Sequence, residues 1–291
     1  MKKKIVVGIV FLMLVATMVV SAANINVKEN IQMTASVIDD PVDVPVWAIG
    51  DSWTYNEHYN SYGYRDDGTI SYVWYHNCTS TYTITDDTGD TYKVELTSKN
   101  TEGRFNVGKY RLKFTPFYKL TQELELRKTD LAYVHISTQE KGPVIWQIGN
   151  IGFPIPAYYS DIWDNTYTPA YELFPFPLTE GKTGTFSSFT STGHETLSLY
   201  FGLIKFSDYD FSIEIPAKEY ICEMESITVT AGTYEAYNIS TDEGSAQNYS
   251  YLYYVPQVGS YAKWSYHTEL DDSGKPVSNN EAELVSTTYE P

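Results

Sequence analysis

The chain has 291 residues and a formal net charge of −17 at pH 7, from 20 Lys and Arg against 37 Asp and Glu. Proteins bind nucleic acid by neutralising phosphates with Lys and Arg, so this charge balance excludes nucleic acid as a partner. The aromatic residues comprise 27 Tyr, 12 Phe and 6 Trp. This composition favours the half-buried faces of a β-sheet over a surface whose tyrosines stack on sugars or proteins.

The N-terminal residues 1–23 have the layout of an export signal. Lys2 to Lys4 precede an uncharged apolar run from Ile5 to Val20, and the small residues Ser21 to Ala23 follow it. We therefore predict a cleaved signal peptide and a mature protein outside the cell or at its surface. The alternative is an uncleaved anchor, because the uncharged stretch continues to Val27 and a spanning helix needs about 20 apolar residues. Membrane contact is expected only in that case.

Residues 24–45 are polar and form an N-terminal spacer that ends in a proline-containing segment. Beyond the spacer, runs rich in β-branched and aromatic residues alternate with polar positions, which predicts an all-β fold built as a large, curved antiparallel sheet. No later stretch has helical apolar spacing. The predicted strands are 69–85, 91–99, 108–115, 118–127, 130–138, 184–191, 195–206, 209–215, 219–230, 233–240, 248–255, 260–269 and 281–289.

Three Asp- and Gly-rich segments separate predicted strands: Asp66–Gly68, Asp86–Asp90 and Asp271–Gly274. Asp tolerates left-handed backbone angles and Gly favours them, so these segments predict hairpin turns. Calcium binding is the alternative for clustered carboxylates, but none of the segments has the spacing of a calcium loop.

A weak internal repeat divides the body of the chain. Gly50–Tyr55 and Gly181–Phe186 share a Gly, a Ser or Thr two residues later, and a Thr followed by an aromatic residue. The repeat predicts two related β-units at 46–141 and 178–291, or two arms of one curved sheet.

Residues 142–177 separate the two predicted units and are dense in proline and aromatic residues. Proline lacks the N–H that a central strand needs, and a segment with so many aromatic side chains is expected to pack against the fold rather than to face water. We therefore predict a segment that covers the concave face of the sheet, either completing the core or closing over a ligand. The predicted ligand-lining residues are Trp146, Phe153, Tyr158, Tyr159 and Trp163.

The two cysteines, Cys78 and Cys222, both fall on the inward face of their predicted strands. In an exported protein this pattern predicts one disulfide, and the alternative is a pair of buried free thiols. Three sequons make Asn77, Asn238 and Asn248 candidate glycosylation sites, provided that the host glycosylates exported proteins.

The motifs that would indicate an enzyme are incomplete or missing. Gly50-Asp51-Ser52 is similar to the nucleophile block of lipase-like hydrolases, but no His in the chain has the Asp three residues before it that this family uses. The sequence also contains no His-Glu-x-x-His and no Gly-x-Ser-x-Gly. We therefore predict a protein without catalytic residues, metal or cofactor.

The C-terminal half carries a recognisable pattern. Ala231-Gly232-Thr233-Tyr234 continues one predicted strand, Tyr254-Val255-Pro256-Gln257-Val258-Gly259 ends another, and Glu283-Leu284 lies in the last. This pattern resembles one found in exported bacterial and archaeal β-rich proteins of unknown function. These proteins in turn resemble, more distantly, the half-barrel fold of periplasmic lipoprotein carriers. The resemblance implies a curved sheet that holds an apolar ligand, and it supplies no catalytic residues.

Together these features predict an exported, non-catalytic protein that holds an apolar or amphipathic ligand, such as a lipid, between the sheet and the covering segment. The first alternative is a structural or adhesive component of the cell envelope, whose partner would be an envelope polymer. The second is a secreted hydrolase, which requires the scattered His and acidic residues to converge in the folded chain.

Overall fold

The computed structural model describes residues 41–64, 70–107, 110–148, 155–199, 204–241, 249–267 and 278–291. The predicted signal peptide, Phe153, Asn248 and the turns at Asp66–Gly68 and Asp271–Gly274 lie outside these ranges. Within them the chain is all-β, with 15 strands and no helix. Accordingly, none of the described segments supplies a helix that is long and apolar enough to cross a membrane.

The strands are numbered in chain order. They are β1 (Ser52–Tyr64), β2 (Ile70–Asp87), β3 (Thr91–Val107), β4 (Tyr110–Phe114), β5 (Lys119–Arg127), β6 (Tyr133–Ile148), β7 (Ile155–Tyr171), β8 (Thr183–Phe186), β9 (Phe189–Leu199), β10 (Ile204–Ile215), β11 (Lys218–Val229), β12 (Gly232–Thr241), β13 (Tyr249–Val255), β14 (Ser260–His267) and β15 (Ser278–Thr287).

All the strands belong to one antiparallel sheet. Its order is β10-β9-β7-β6-β4-β3-β2-β1-β15-β14-β13-β12-β11-β8, and β5 pairs with β3 and β6. Strands β4 and β5 therefore share one place between β3 and β6, interrupted at 115–118. Because β1 pairs with β15, the two predicted β-units contribute strands to the same sheet.

The sheet curls into a partial ring, because a bent hairpin links its two ends. Phe186 of β8 pairs with Lys218 of β11, and Phe189 of β9 pairs with Ile215 of β10. The β8:β11 and β9:β10 pairings have the same register. One long hairpin therefore has β8 and β9 in its first arm and β10 and β11 in its second, and it bends at 187–188 and 216–217. One half of the hairpin extends the sheet beyond β12, and the other half extends it beyond β7. The curved, half-barrel-like sheet is confirmed.

The inner face of the curved sheet carries two apolar clusters. The larger one, here the main core, includes Trp53, Tyr55, Ile239, Tyr254 and Leu284. The smaller one, the second cluster, contains Leu112, Phe114, Tyr118, Val144, Ala157, Tyr159, Leu197 and Leu199. Along β6 the inward side chains pass from Ile136 beside the main core through Thr138 and Glu140 to Val144 in the second cluster. Buried polar side chains thus form a layer between the two apolar regions, here the polar layer, which includes Glu57, Cys78, Ser80, Thr138, Glu140, Asp161 and Glu195.

Strand β7 corrects the prediction that 142–177 covers the sheet. Residues 155–171 form a 17-residue strand between β6 and β9. The prolines are tolerated because each lies where a neighbouring ladder is interrupted. Pro143 faces the break between β4 and β5, where its carbonyl accepts a hydrogen bond from Thr115. Pro156 precedes the first β7:β9 pair and Pro169 follows the last.

Residues 172–178 follow β7 and pack against the main core. Phe174 is buried, and its ring and that of Phe176 both lie 5.3 Å from the ring of Tyr254. Leu178 is fully buried and forms a β-bridge with Val42. This short stretch is the part of the predicted covering segment that lies over a core.

The predicted disulfide is wrong, although both cysteines face inward as expected. Cys78 and Cys222 are buried free thiols. Cys78 lies in the polar layer, where its Sγ donates a hydrogen bond to Glu57 Oε2 at 3.3 Å. Cys222 belongs to the main core, close to the end of the sheet formed by β8. The alternation of strand residues fixes which face a thiol occupies, but the two thiols lie in different parts of that face.

Candidate functional site

A cavity of about 170 Å³ lies inside the curved sheet. Its wall is mainly aromatic and aliphatic and comes from both halves of the chain. The polar part of the wall consists of Glu57, His76, Gln122, Thr138, Glu140, Asn165 and tyrosine hydroxyls. The lining residues are Glu57, Tyr59, Trp74, His76, Tyr82, Leu96, Leu120, Gln122, Leu124, Tyr133, Ile136, Thr138, Glu140, Trp163, Asn165, Tyr167, Tyr171, Leu173, Phe189, Leu252, Tyr261, Trp264 and Ala282.

The polar residues reach the cavity because they continue the inward-facing series of their strands. Side chains alternate between the two faces of a strand, so Glu57 shares its face with Trp53 and Tyr55. On β6, Glu140 shares a face with Ile136 and Val144 in the same way. On each of these strands a carboxyl group therefore takes an inward position, and apolar side chains occupy the inward positions two or four residues away.

Four carboxyl side chains are buried in this polar layer. Glu57 and Glu140 are each 4% exposed, Asp161 is 1% exposed and Glu195 is 0% exposed. No Lys or Arg in the described ranges is buried to a comparable degree. Burying a charge without a counter-ion is costly, so burial disfavours the ionised form of each of these groups.

Glu57 is surrounded by hydrogen-bond donors. Its Oε2 accepts from the Ser80 hydroxyl and from Cys78 Sγ, and its Oε1 accepts from the Tyr82 hydroxyl at 3.2 Å. Burial raises the pKa of Glu57, and these donors oppose the rise because they stabilise the carboxylate. Burial raises the pKa of the neighbouring Tyr59 hydroxyl, and the nearby Glu57 carboxyl group raises it further.

Glu140 and Asp161 are directly paired across the β6:β7 ladder. Opposite side chains on one sheet face lie about 5 Å apart at Cβ, so the two carboxyl groups interact strongly. Burial raises the pKa of Glu140 to about 7, while the Tyr118 hydroxyl, which donates to Glu140 Oε2, acts in the other direction. The pKa of Asp161 is raised well above its usual value by burial and then by Glu140 and Glu195. Both shifts therefore disfavour the state in which the two groups are ionised together.

Glu195 occupies the polar layer on β9. Its carboxyl oxygens accept hydrogen bonds from Ser207 Oγ at 3.1 Å and from the Tyr209 hydroxyl at 2.7 Å. Burial raises its pKa, and these two donors oppose the rise. Glu195 and Asp161 do not line the cavity, whereas Glu57 and Glu140 do. Hence two of the four buried carboxyl groups are available to a molecule in the cavity.

Aromatic rings surround the accessible carboxyl groups. Tyr59 stacks against Trp74 with 6.0 Å between ring centroids, and the ring of Trp264 is tilted to that of Tyr59 at 6.4 Å. His76 is buried, and its ring stands edge-on to that of Tyr118 at 6.0 Å. The cavity can therefore contact a ligand through ring faces, carboxyl oxygens and aliphatic side chains.

The five ligand-lining residues predicted from the sequence lie in different places. Trp163 is 3% exposed and lines the cavity. Tyr159 belongs to the second cluster and Trp146 packs against that cluster. Tyr158 alternates with the inward-facing Tyr159 and is half-buried on the opposite face of β7. Phe153 lies outside the described residues.

The candidate glycosylation sites lie within strands where they are described. Asn77 is half-buried on β2, and its amide contacts the Tyr75 hydroxyl and the His58 ring. Asn238 is buried on β12, and its Nδ2 donates to Glu225 at 2.6 Å. Both amides thus have partners within the folded chain.

The four buried acids were not predicted from the sequence. Their signal is an acidic residue at an inward position of a strand, as Glu57 is in the series Trp53, Tyr55, Glu57 and Tyr59. The signal is weak because the chain has 37 acidic residues. Within the described ranges, no group of three or more His, Cys, Asp and Glu side chains has a geometry suited to a metal ion.

No protein-family model, no curated protein and no solved structure matches this chain.

Proposed function

We propose that this chain is an exported, non-catalytic protein that binds an apolar or amphipathic ligand inside its curved sheet. The observation that carries the proposal is the cavity of about 170 Å³, whose wall is mostly aromatic and leucine side chains with a few polar groups. Small-molecule sites generally have this composition, since apolar area supplies affinity and the polar groups fix orientation. Export and a location outside the cell or at its surface follow from the predicted signal at residues 1–23.

The way in which the cavity wall is assembled supports binding. Leu96 and Leu124 come from strands early in the chain, whereas Leu252, Trp264 and Ala282 come from its last strands. A ligand in this position would contact both arms of the sheet and would therefore stabilise the folded state.

The proposal can be tested by tryptophan fluorescence with 6-bromohexan-1-ol, whose bromine atom quenches nearby indoles. Trp163 lines the cavity, whereas Trp146 packs against the second cluster. We expect quenching that saturates with probe concentration. The saturable part should shrink in Trp163→Phe and persist in the matched control Trp146→Phe.

Quenching that rises linearly with probe concentration would mean that the probe only collides with the surface, which would overturn the proposal. Equal loss of saturable quenching in both variants would place the site away from the cavity.

Acid–base hydrolysis is a second candidate, favoured by one observation. Glu140 and Asp161 form a directly opposed carboxyl pair, and paired carboxyl groups serve glycoside hydrolysis. It ranks second because Asp161 does not line the cavity, and because the Tyr118 and Tyr159 hydroxyls already donate to the two carboxyl groups. Turnover of 4-nitrophenyl glycosides that disappears in Glu140→Gln would favour this candidate over simple binding.

A further inference from the structure

We infer that the cavity selects an organic cation, that is, an ammonium group carried on an apolar body. The inference rests on the proposed binding function and names the class of ligand. The group that would hold the cation consists of Glu57, Glu140 and the aromatic rings of the cavity wall.

The first argument is the chemistry of the polar wall. Glu57 and Glu140 line the cavity with carboxyl groups, and no described residue of the lining is Lys or Arg. An anionic ligand would find no basic Lys or Arg side chain among the described lining residues and would lie beside two carboxyl groups. A cation would supply the counter-charge that these buried carboxyl groups lack, which is the usual condition for burying a carboxylate.

Asn165 provides an independent observation. Its side chain lines the cavity and the residue is only 6% exposed. Its Oδ1 has no hydrogen-bond partner among the described residues. A buried acceptor that stays unpaired costs free energy, so such atoms in native proteins commonly mark a place where a ligand or water donates. Asn165 therefore adds an unpaired acceptor, and no cation-repelling group, to this part of the wall.

The third argument is the arrangement of aromatic rings around the carboxyl groups. Tyr59 is stacked on Trp74 and lies beside Trp264. The face of an aromatic ring attracts a cation within about 6 Å, and aromatic cages recognise quaternary ammonium ligands in this way. The Tyr59 hydroxyl donates to Glu57, which keeps the ring next to a carboxyl group.

The rest of the cavity suits the apolar body of such a ligand. Leu96, Leu124 and Leu252 line it together with Ala282. With a volume of about 170 Å³, the cavity suits a small organic cation rather than a large polymer. The inferred ligand is thus an alkyl- or arylammonium compound.

The test compares three probes with the same alkyl chain: hexyltrimethylammonium, hexan-1-ol and hexyl sulfate. Each is titrated against the full chain until it displaces 6-bromohexan-1-ol and restores tryptophan fluorescence. We expect the ammonium compound to displace the probe at a concentration at least about tenfold lower than the alcohol, since a cation–π contact and a carboxylate act together. Hexyl sulfate should be the weakest.

Two variants locate the effect. Glu140→Gln should remove most of the preference for the ammonium compound over the alcohol, whereas Glu195→Gln, a buried carboxyl group away from the cavity, should keep it. If Glu140→Gln does not fold, the ranking of the three probes on the unmodified chain still decides whether the cavity prefers a cation.

The outcomes separate this inference from the proposed function. If the alcohol displaces the probe as well as the ammonium compound does, the inference is overturned and the binding function stands. If hexyl sulfate displaces it best, the inference is overturned as well. If 6-bromohexan-1-ol itself shows no saturable quenching, the proposed function fails and the inference fails with it.

Discussion

On the inner face of the sheet, buried polar atoms are paired differently in the main core and in the polar layer. In the main core, the indole nitrogens of Trp47 and Trp53 donate to the backbone oxygens of Gly259 and Val258 at 2.9 and 2.7 Å. In the polar layer, Glu57, Glu140 and two further carboxyl groups are buried, and no Lys or Arg of the described ranges is buried with them. The main core pairs its buried indole N–H groups and stabilises the fold, whereas the buried acids of the polar layer lower stability where the cavity lies. A local loss of stability is expected at a functional site.

The main core should give the largest response to mutation. Leu284 is fully buried there, so Leu284→Ala should lower the free energy of unfolding by about 2–5 kcal/mol, through lost burial and the cavity left behind. Urea unfolding followed by tryptophan fluorescence measures this loss. The control is Ile221→Ala on β11, because Ile221 is partly exposed and should lose less. Equal losses at the two positions would contradict the assignment of the main core.

The polar layer should make stability depend on pH. The pKa of Glu140 is about 7 in the folded chain and near 4.5 when unfolded, so the folded state binds more protons between these values. Its contribution to stability is therefore complete below about pH 4.5 and is lost as pH rises through about 7. A shift of this size corresponds to about 3 kcal/mol. Asp161, which faces Glu140, has a raised pKa and acts in the same direction.

Urea unfolding at pH 5 and pH 8 tests this prediction. The unmodified chain should be more stable at pH 5, and Glu140→Gln should reduce the difference because the amide does not titrate. A chain that is more stable at pH 8, or a variant with an unchanged difference, would show that Glu140 is not held neutral by burial.

The smallest effect is expected at the cysteines, which lie one in each region. Burial raises the pKa of Cys222 to about 11, and the pKa of Cys78 is raised as well, first by burial and then by Glu57. We expect both thiols to react slowly with a thiol reagent in the folded chain. Both should react at once in denaturant without a reductant. A chain that shows no reactive thiol in denaturant would contain the disulfide that the structure lacks.

Much of the fold follows from local sequence patterns. Strands β2, β5 and β11 lie close to the predicted ranges, and the turn at Asp86–Asp90 is confirmed. At that turn Gly89 has a φ of 93° and its N–H is held by Asp87 Oδ1. Alternation of residue types and turn chemistry act over a few residues, which is why sequence alone captures them.

Two strands were missed for identifiable reasons. β1 was not predicted because polar residues such as Asn56, Glu57 and His58 interrupt its alternation. β7 was excluded because of its prolines, whose missing N–H groups matter only when both neighbouring ladders are continuous. The bend between β8 and β9 also fell inside one predicted strand, 184–191. These features depend on which strands become neighbours, and that is not a local property.

Most residues of the candidate site could not be predicted from the sequence. Of the predicted lining residues, Trp163 does line the cavity, and it does so from a strand rather than from a covering segment. The carboxyl groups at Glu57 and Glu140 come from strands that are distant in sequence. They share a layer only because the sheet curls.

The most direct test of the account is native mass spectrometry of the full chain purified from its own host without detergent. We expect a reproducible excess mass that organic solvent releases, from a small molecule that carries an ammonium group. The Trp163→Phe variant should retain less of it than the matched Trp146→Phe variant. A protein that carries no releasable small molecule and also fails to bind hexyltrimethylammonium would contradict the central claim that the cavity is a ligand site.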